Sequence, residues 1–103
     1  MPCWKLVRDR VVEEVSGSSN VVVLRVSGSD FEALLRAKIV EEAVELARSG
    51  SVEEAADLLE VFSAWLRVRG LRLEDVARLA EAKRRSRGGF SGYVVVWLDR
   101  DEC

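Results

Sequence analysis

Residues 38–61 read KIVEEAVELARSGSVEEAADLLEV, and this stretch decides the fold. On either side of Ser49-Gly50-Ser51 the apolar residues recur every three or four positions, which is the spacing of one helix face. Gly50 suits the left-handed position that closes a helix. Ser51, with Glu54 three residues on, forms a capping box that starts the next helix. A connection this short forces the two helices to run antiparallel, as a hairpin. Working outward, the first helix starts after Ser29 or Asp30 and runs to about Arg48. The second spans Val52 to about Arg69, where Gly70 stops it. A third runs from about Leu73 to Arg85, ahead of Gly88-Gly89. Two short valine-rich runs, Val21–Val26 and Tyr93–Leu98, read as strands that pair in one small sheet, because an isolated strand leaves its backbone groups unpaired. The expected fold is mainly α: an antiparallel hairpin plus a third helix, with a small two-stranded sheet, assembling as a helical bundle.

The chain has 103 residues, 49% hydrophobic and 33% charged, which fits one soluble domain over residues 1–103. A domain this small buries only about two-thirds of its unfolded surface, so self-association would help it. There is no His, which excludes Ser-His-Asp triads, His-ligated zinc and His-ligated haem. The two Cys, Cys3 and Cys103, are too few for a zinc knuckle or a disulfide scaffold. A net charge of −2 argues against a generally basic nucleic-acid binder. No signal core or apolar run long enough for a bilayer is present, so the expected location is cytoplasmic. Gln and Thr are missing and ionic residues abound, a balance that leans towards a thermophile, where an intracellular Cys3–Cys103 disulfide would not be out of place.

Charge is segregated. Residues 30–60 carry net −6 and residues 61–90 net +5. At 100° per residue, Phe31, Leu35, Ile39 and Leu46 share one arc of the first helix, with Glu42 in its middle and Glu45 and Lys38 at its edge. On the second helix Leu58, Val61, Phe62 and Trp65 form the arc, with Glu54 inside it and Asp57 on its flank. Residues three apart are neighbours on a helix. Each helix thus carries a pair of carboxylates on or beside its apolar stripe, at similar distances from Gly50. Burial and like charge both oppose ionisation of such a group, and a hard divalent cation resolves the conflict. Oxygen ligands without His or Cys select Mg²⁺ or Mn²⁺. The competing reading is structural, with Glu42 and Glu54 neutralised by Lys38 and an Arg.

These residues resemble a known family. Glu41-Glu42-x-x-Glu45 followed by Glu54-x-x-Asp57 on a hairpin is similar to the all-α nucleoside triphosphate pyrophosphohydrolases, the MazG-like superfamily. KLVRDRV at 5–11, KIVEEAVEL at 38–46, EEAADLLEV at 53–61 and RGGF at 87–90 resemble, in that order, its house-cleaning branch, which is itself akin to phosphoribosyl-ATP pyrophosphatases. The branch usually reads KLVRDKIP; here Arg10 and Val12 replace the Lys and the Pro. The resemblance implies Mg²⁺-dependent cleavage between the α and β phosphates of a nucleotide, releasing pyrophosphate. It implies Glu42, Glu45, Glu54 and Asp57 as metal ligands, and one of these or Glu41 as a base for the attacking water. Lys83, Arg84 and Arg87, ahead of the Gly pair, with Lys5 and Arg8, become candidates for binding phosphate. Phe90 and Trp65 either stack on a base or belong to the core. The expected assembly is a homodimer through Leu58, Phe62 and Trp65. The alternatives are a phosphoribosyl-ATP pyrophosphatase and a non-catalytic acidic helical module that docks a basic partner.

Overall fold

The computed structural model describes residues 4–18 and 20–99. Among them are four helices in the order α1 (Val11–Val15), α2 (Gly28–Ser49), α3 (Val52–Val68) and α4 (Leu73–Arg87). The chain divides into two compact units, Met1–Leu71 and Arg72–Cys103. No helix is long and apolar enough to cross a membrane. Cys3 and Cys103 lie outside the described residues.

The first unit is built on the α2–α3 hairpin. Gly50 takes φ 62° and ψ 20°, and its N–H donates to the Leu46 carbonyl at 2.8 Å. A left-handed residue is needed here to end α2 and reverse the chain, and glycine adopts it without a Cβ clash. Ser51 caps α3: its Oγ accepts from the Glu54 N–H at 3.2 Å. The start of α2 differs from expectation. Its N-cap is Ser27, extended at φ −149°, and neither Ser29 nor Asp30. Gly28, at φ 60°, makes the turn from extended chain into helix, so α2 gains residues at its N-terminus.

The two apolar stripes meet along the hairpin. Leu35 on α2 and Leu66 on α3 are its buried core residues. Phe31, Ile39, Leu46, Leu58, Val61, Phe62 and Trp65 are half-buried around them. Trp65 stacks on Phe62 with ring centroids 6.3 Å apart, and the Arg69 guanidinium lies over the Trp65 ring at 5.6 Å. Arg69 also reaches Glu32 at 3.4 Å, tying the far end of α3 to the start of α2.

The expected sheet is absent: the described residues contain no strand. Val21–Val26 and Tyr93–Leu98 belong to different units and have no regular structure. Val22 is 77% exposed and Val95 91%. β-Branched residues favour an extended chain, but a strand is defined by its ladder partner; without one, water takes the backbone hydrogen bonds. In the second unit, Asp75 steadies the start of α4 by accepting from the Arg72 N–H at 3.3 Å and from its guanidinium at 3.2 and 3.3 Å. Both groups respond: the Arg72 hydrogen bond holds the Asp75 carboxyl below its ordinary range, and Asp75 raises Arg72.

Candidate metal centre

The hairpin brings Glu42, Glu54 and Asp57 together. One carboxylate oxygen from each lies within 4.8 Å of the other two. The arrangement follows from the local structure. The Ser49–Ser51 connection sets the register: Glu42 and Asp57 each lie about two turns from Gly50 on facing helices, and Glu54 lies one turn nearer the connection on α3. Glu42 is 9% exposed, the one buried acid among the described residues, while Glu54 and Asp57 are half-buried.

Glu45 is exposed and its oxygens lie outside this close group, although its charge is felt at Glu54. The helical projection places Glu45 at the edge of the stripe, and from that edge the side chain turns to solvent. Glu41 is turned to the other flank. Its carboxylate meets the Lys5 ammonium at 2.8 Å and that of Lys38 at 3.5 Å. The hydrogen bond from Lys5 holds its pKa below the usual carboxylate value, with Lys38 adding to the effect.

Cations hold two of the three clustered acids. Lys38 Nζ lies 3.4 Å from Glu42, and Arg8 Nη2 lies 2.7 Å from Asp57 Oδ1. Glu54 has neither Lys nor Arg within ion-pair distance among the described residues. Its pKa is pushed up from 4.5, first by partial burial and then by the charges of Asp57, Glu42 and Glu45. The ionised form of Glu54 is therefore disfavoured by its surroundings.

The segment carrying Lys5 and Arg8 has no regular structure before α1, and these two ion pairs fasten it over the acidic hairpin. Between segment and hairpin runs a cleft of about 760 Å³. Glu42 and Asp57 line it, with Arg8, Arg10, Lys38 and Arg67 as its cations and Phe31 and Leu35 among its apolar residues. Small-molecule sites enclose roughly 300–1,000 Å³, and the volume of this open cleft falls in that range. Sequence reasoning missed Arg67 and Phe31 as lining residues. Phe31 shares the α2 arc with Leu35, but Arg67 falls opposite the apolar arc of α3, where no sequence signal marks it.

Of the other candidates, Lys83, Arg84 and Arg87 lie on α4 in the second unit, all exposed. Phe90, also in that unit, is fully exposed. Trp65 is engaged by Phe62 and Arg69 and does not line the cleft. A shallower apolar groove of about 340 Å³ runs along the hairpin, lined by Ile39, Leu46, Ala55, Leu58, Leu59 and Phe62. The donor set of the carboxylate cluster is oxygen only, which suits Mg²⁺ or Mn²⁺. Matched against protein-family models, curated proteins and solved structures, the chain finds no similar protein.

Proposed function

We propose that the protein is a Mg²⁺-dependent nucleotide pyrophosphohydrolase. The observation that carries the reading is the carboxylate cluster: Glu54, a half-buried acid with no Lys or Arg at ion-pair distance among the described residues, lies beside Glu42 and Asp57, which line the cleft. Glu42, Glu54 and Asp57 would hold the metal, with Glu45 able to join through a water. The bound ion would supply charge neutralisation of the phosphates and an acidified water. The chain's own groups do the rest. Lys38 and Arg8 donate to phosphate oxygens once the carboxylates are shared with the metal, and as fixed donors they favour the charge that builds on the leaving pyrophosphate. One of the clustered acids, or Glu41, would take the proton of the attacking water; Glu41, held low by the Lys5 hydrogen bond, is the poorer base. On this reading Lys5 orders the segment that closes the cleft. The proposed setting is the cytoplasm.

The ion pairs Lys38–Glu42 and Arg8–Asp57 favour the structural alternative, a neutralised network without metal. Such a network would also need a cation at Glu54, and there the two readings part. The test is pyrophosphate release in Mg²⁺ over canonical and damaged nucleoside triphosphates and phosphoribosyl-ATP. Release from one or more, abolished by EDTA, supports the hydrolase; silence across the panel supports the acidic module. Assembly belongs to the same proposal. The apolar groove around Leu58 and Phe62 would be covered by its counterpart in a homodimer, forming a four-helix core. Light scattering at micromolar concentration should report twice the chain mass of 11.5 kDa; a monomer would count against it.

A further inference from the structure

The second unit carries charge and apolar surface in two successive blocks. Residues 82–98 hold four bases, Lys83, Arg84, Arg85 and Arg87, and no acid. The bases come first, at the end of α4, and the run Tyr93–Leu98 follows beyond Gly88-Gly89 and Gly92. Every residue of this stretch is exposed. Arg85 reaches Glu81 at 4.0 Å, while Lys83, Arg84 and Arg87 have no carboxylate at ion-pair distance among the described residues. At about 100° per residue, Lys83 and Arg87 share a face of α4 with Val76 and Leu79, and Glu74 and Glu81 fall on the opposite face. In an extended chain alternate residues lie on one side. Tyr93, Val95 and Trp97 are 95%, 91% and 96% exposed, against 82%, 72% and 43% for Val94, Val96 and Leu98. The more open side thus presents an aliphatic residue between two amphipathic aromatics.

We propose that this stretch binds the surface of an anionic lipid bilayer, with the four bases on headgroup phosphates and Tyr93, Val95 and Trp97 in the interfacial layer beneath. The proposal does not rest on the carboxylate cluster, which belongs to the other unit. The order of the blocks matches the layering of a bilayer, with charge outside and apolar surface within. A single-stranded nucleic acid would call for aromatic rings set among the bases, and Val94, Val95 and Val96 have no face on which a nucleobase stacks. Six extended residues reach about 20 Å, short of a hydrocarbon core of about 30 Å. Their backbone groups have no ladder partner, so they cannot enter that core. The run therefore lies flat at headgroup depth, where water serves the backbone and where Tyr and Trp are favoured. Gly88, at φ 82°, and Gly89 form a joint that lets α4 and the run meet one plane. Near an anionic leaflet each base adds about fivefold in affinity, so the cluster supplies the attraction and the run the anchorage.

The experiment is sedimentation of the whole chain with vesicles of phosphatidylcholine alone, and of phosphatidylcholine with about one-third phosphatidylglycerol. The proteins are the parent, Arg84→Gln/Arg87→Gln and Val95→Ser/Trp97→Ser. All four positions are exposed, so neither variant opens a core. The parent should bind the mixed vesicles about tenfold or more tighter than the neutral ones, and less tightly as salt is raised. Each variant should lose about tenfold or more on the mixed vesicles, one through charge and the other through buried apolar area. Indole emission should shift to the blue on mixed vesicles in the parent, and the Trp97 variant should lack most of that shift. Equal binding to both vesicles, or to neither, overturns the proposal. So does binding indifferent to Val95 and Trp97, which would leave only a diffuse attraction of charges. A polythymidine oligonucleotide bound by a parent that ignores both vesicles reassigns the stretch to nucleic acid. A parent oligomer dispersed by Val95→Ser/Trp97→Ser, again without vesicle binding, reassigns the run to a second copy of the chain.

Discussion

Replacing Glu54 with Gln is expected to abolish pyrophosphate release while leaving the metal-free protein as stable as the parent, or more so. Glu54 sits among like charges with no cation at ion-pair distance in the described residues, so removing its charge relieves repulsion and strands nothing. With Mg²⁺ present the same change removes a ligand and displaces the attacking water, and turnover should fall by roughly a hundredfold or more. In a structural network the variant would orphan a partner cation, and stability in EDTA would drop. The pH dependence adds a second readout. The folded-state pKa of Glu54 is raised above 4.5, so its contribution to stability is fully present below the unfolded value and is lost as pH rises through the folded one. In EDTA the parent should lose stability relative to Glu54→Gln across that window. Glu41 and Glu32 are shifted down, by the Lys5 and Arg36 hydrogen bonds respectively, so both proteins share their opposite, acid-side loss. Thermal melts of both proteins from acid to neutral pH measure the difference.

The second large effect is on thermal stability with metal. A ligand that binds only the folded state stabilises it by about 2.7 kcal/mol at a hundredfold excess over Kd. For a chain of this size that is roughly 10–20 °C in Tm. Titration with Mg²⁺ or Mn²⁺ should raise Tm progressively, and Ca²⁺, which prefers more ligands at longer distances, should raise it less. A docking face with scattered acids would give a small, saltlike response to all three. Loss of the rise in Glu42→Gln and Asp57→Asn assigns it to the cluster. Asp57→Asn also breaks the Arg8 ion pair, but that pair is largely exposed, with Asp57 at 41%, and contributes about 1 kcal/mol or less.

The hairpin was legible because everything that makes it is local. Ser49-Gly50-Ser51 carries its own stop and start chemistry, and the stripes follow from a fixed angle per residue. Angle and distance from Gly50 also sufficed to bring Glu42, Glu54 and Asp57 to one place. They did not settle Glu45, because a projection gives direction from the helix axis and not the reach of an edge side chain. Arg8 on Asp57 joins residues 49 apart in sequence, and no spacing rule encodes that contact. The two valine runs show the opposite error. Their composition favours extended chain, but pairing is a property of two segments at once, and neither one contains the information.

One of those runs has a further consequence, for the protein in bulk. Tyr93–Leu98 reads YVVVWL, six residues with no charge, Gly or Pro, and Tyr93, Val95 and Trp97 are each more than nine-tenths exposed. That is the composition that stacks into dry, interdigitated cross-β interfaces when copies meet. In the sequence the run is bracketed by Gly92 and Asp99, and the charge of Asp99 is the nearest gatekeeper against such stacking. Association of copies at high concentration is therefore expected to start from a stretch outside the hairpin, which a stronger hairpin core would not cover.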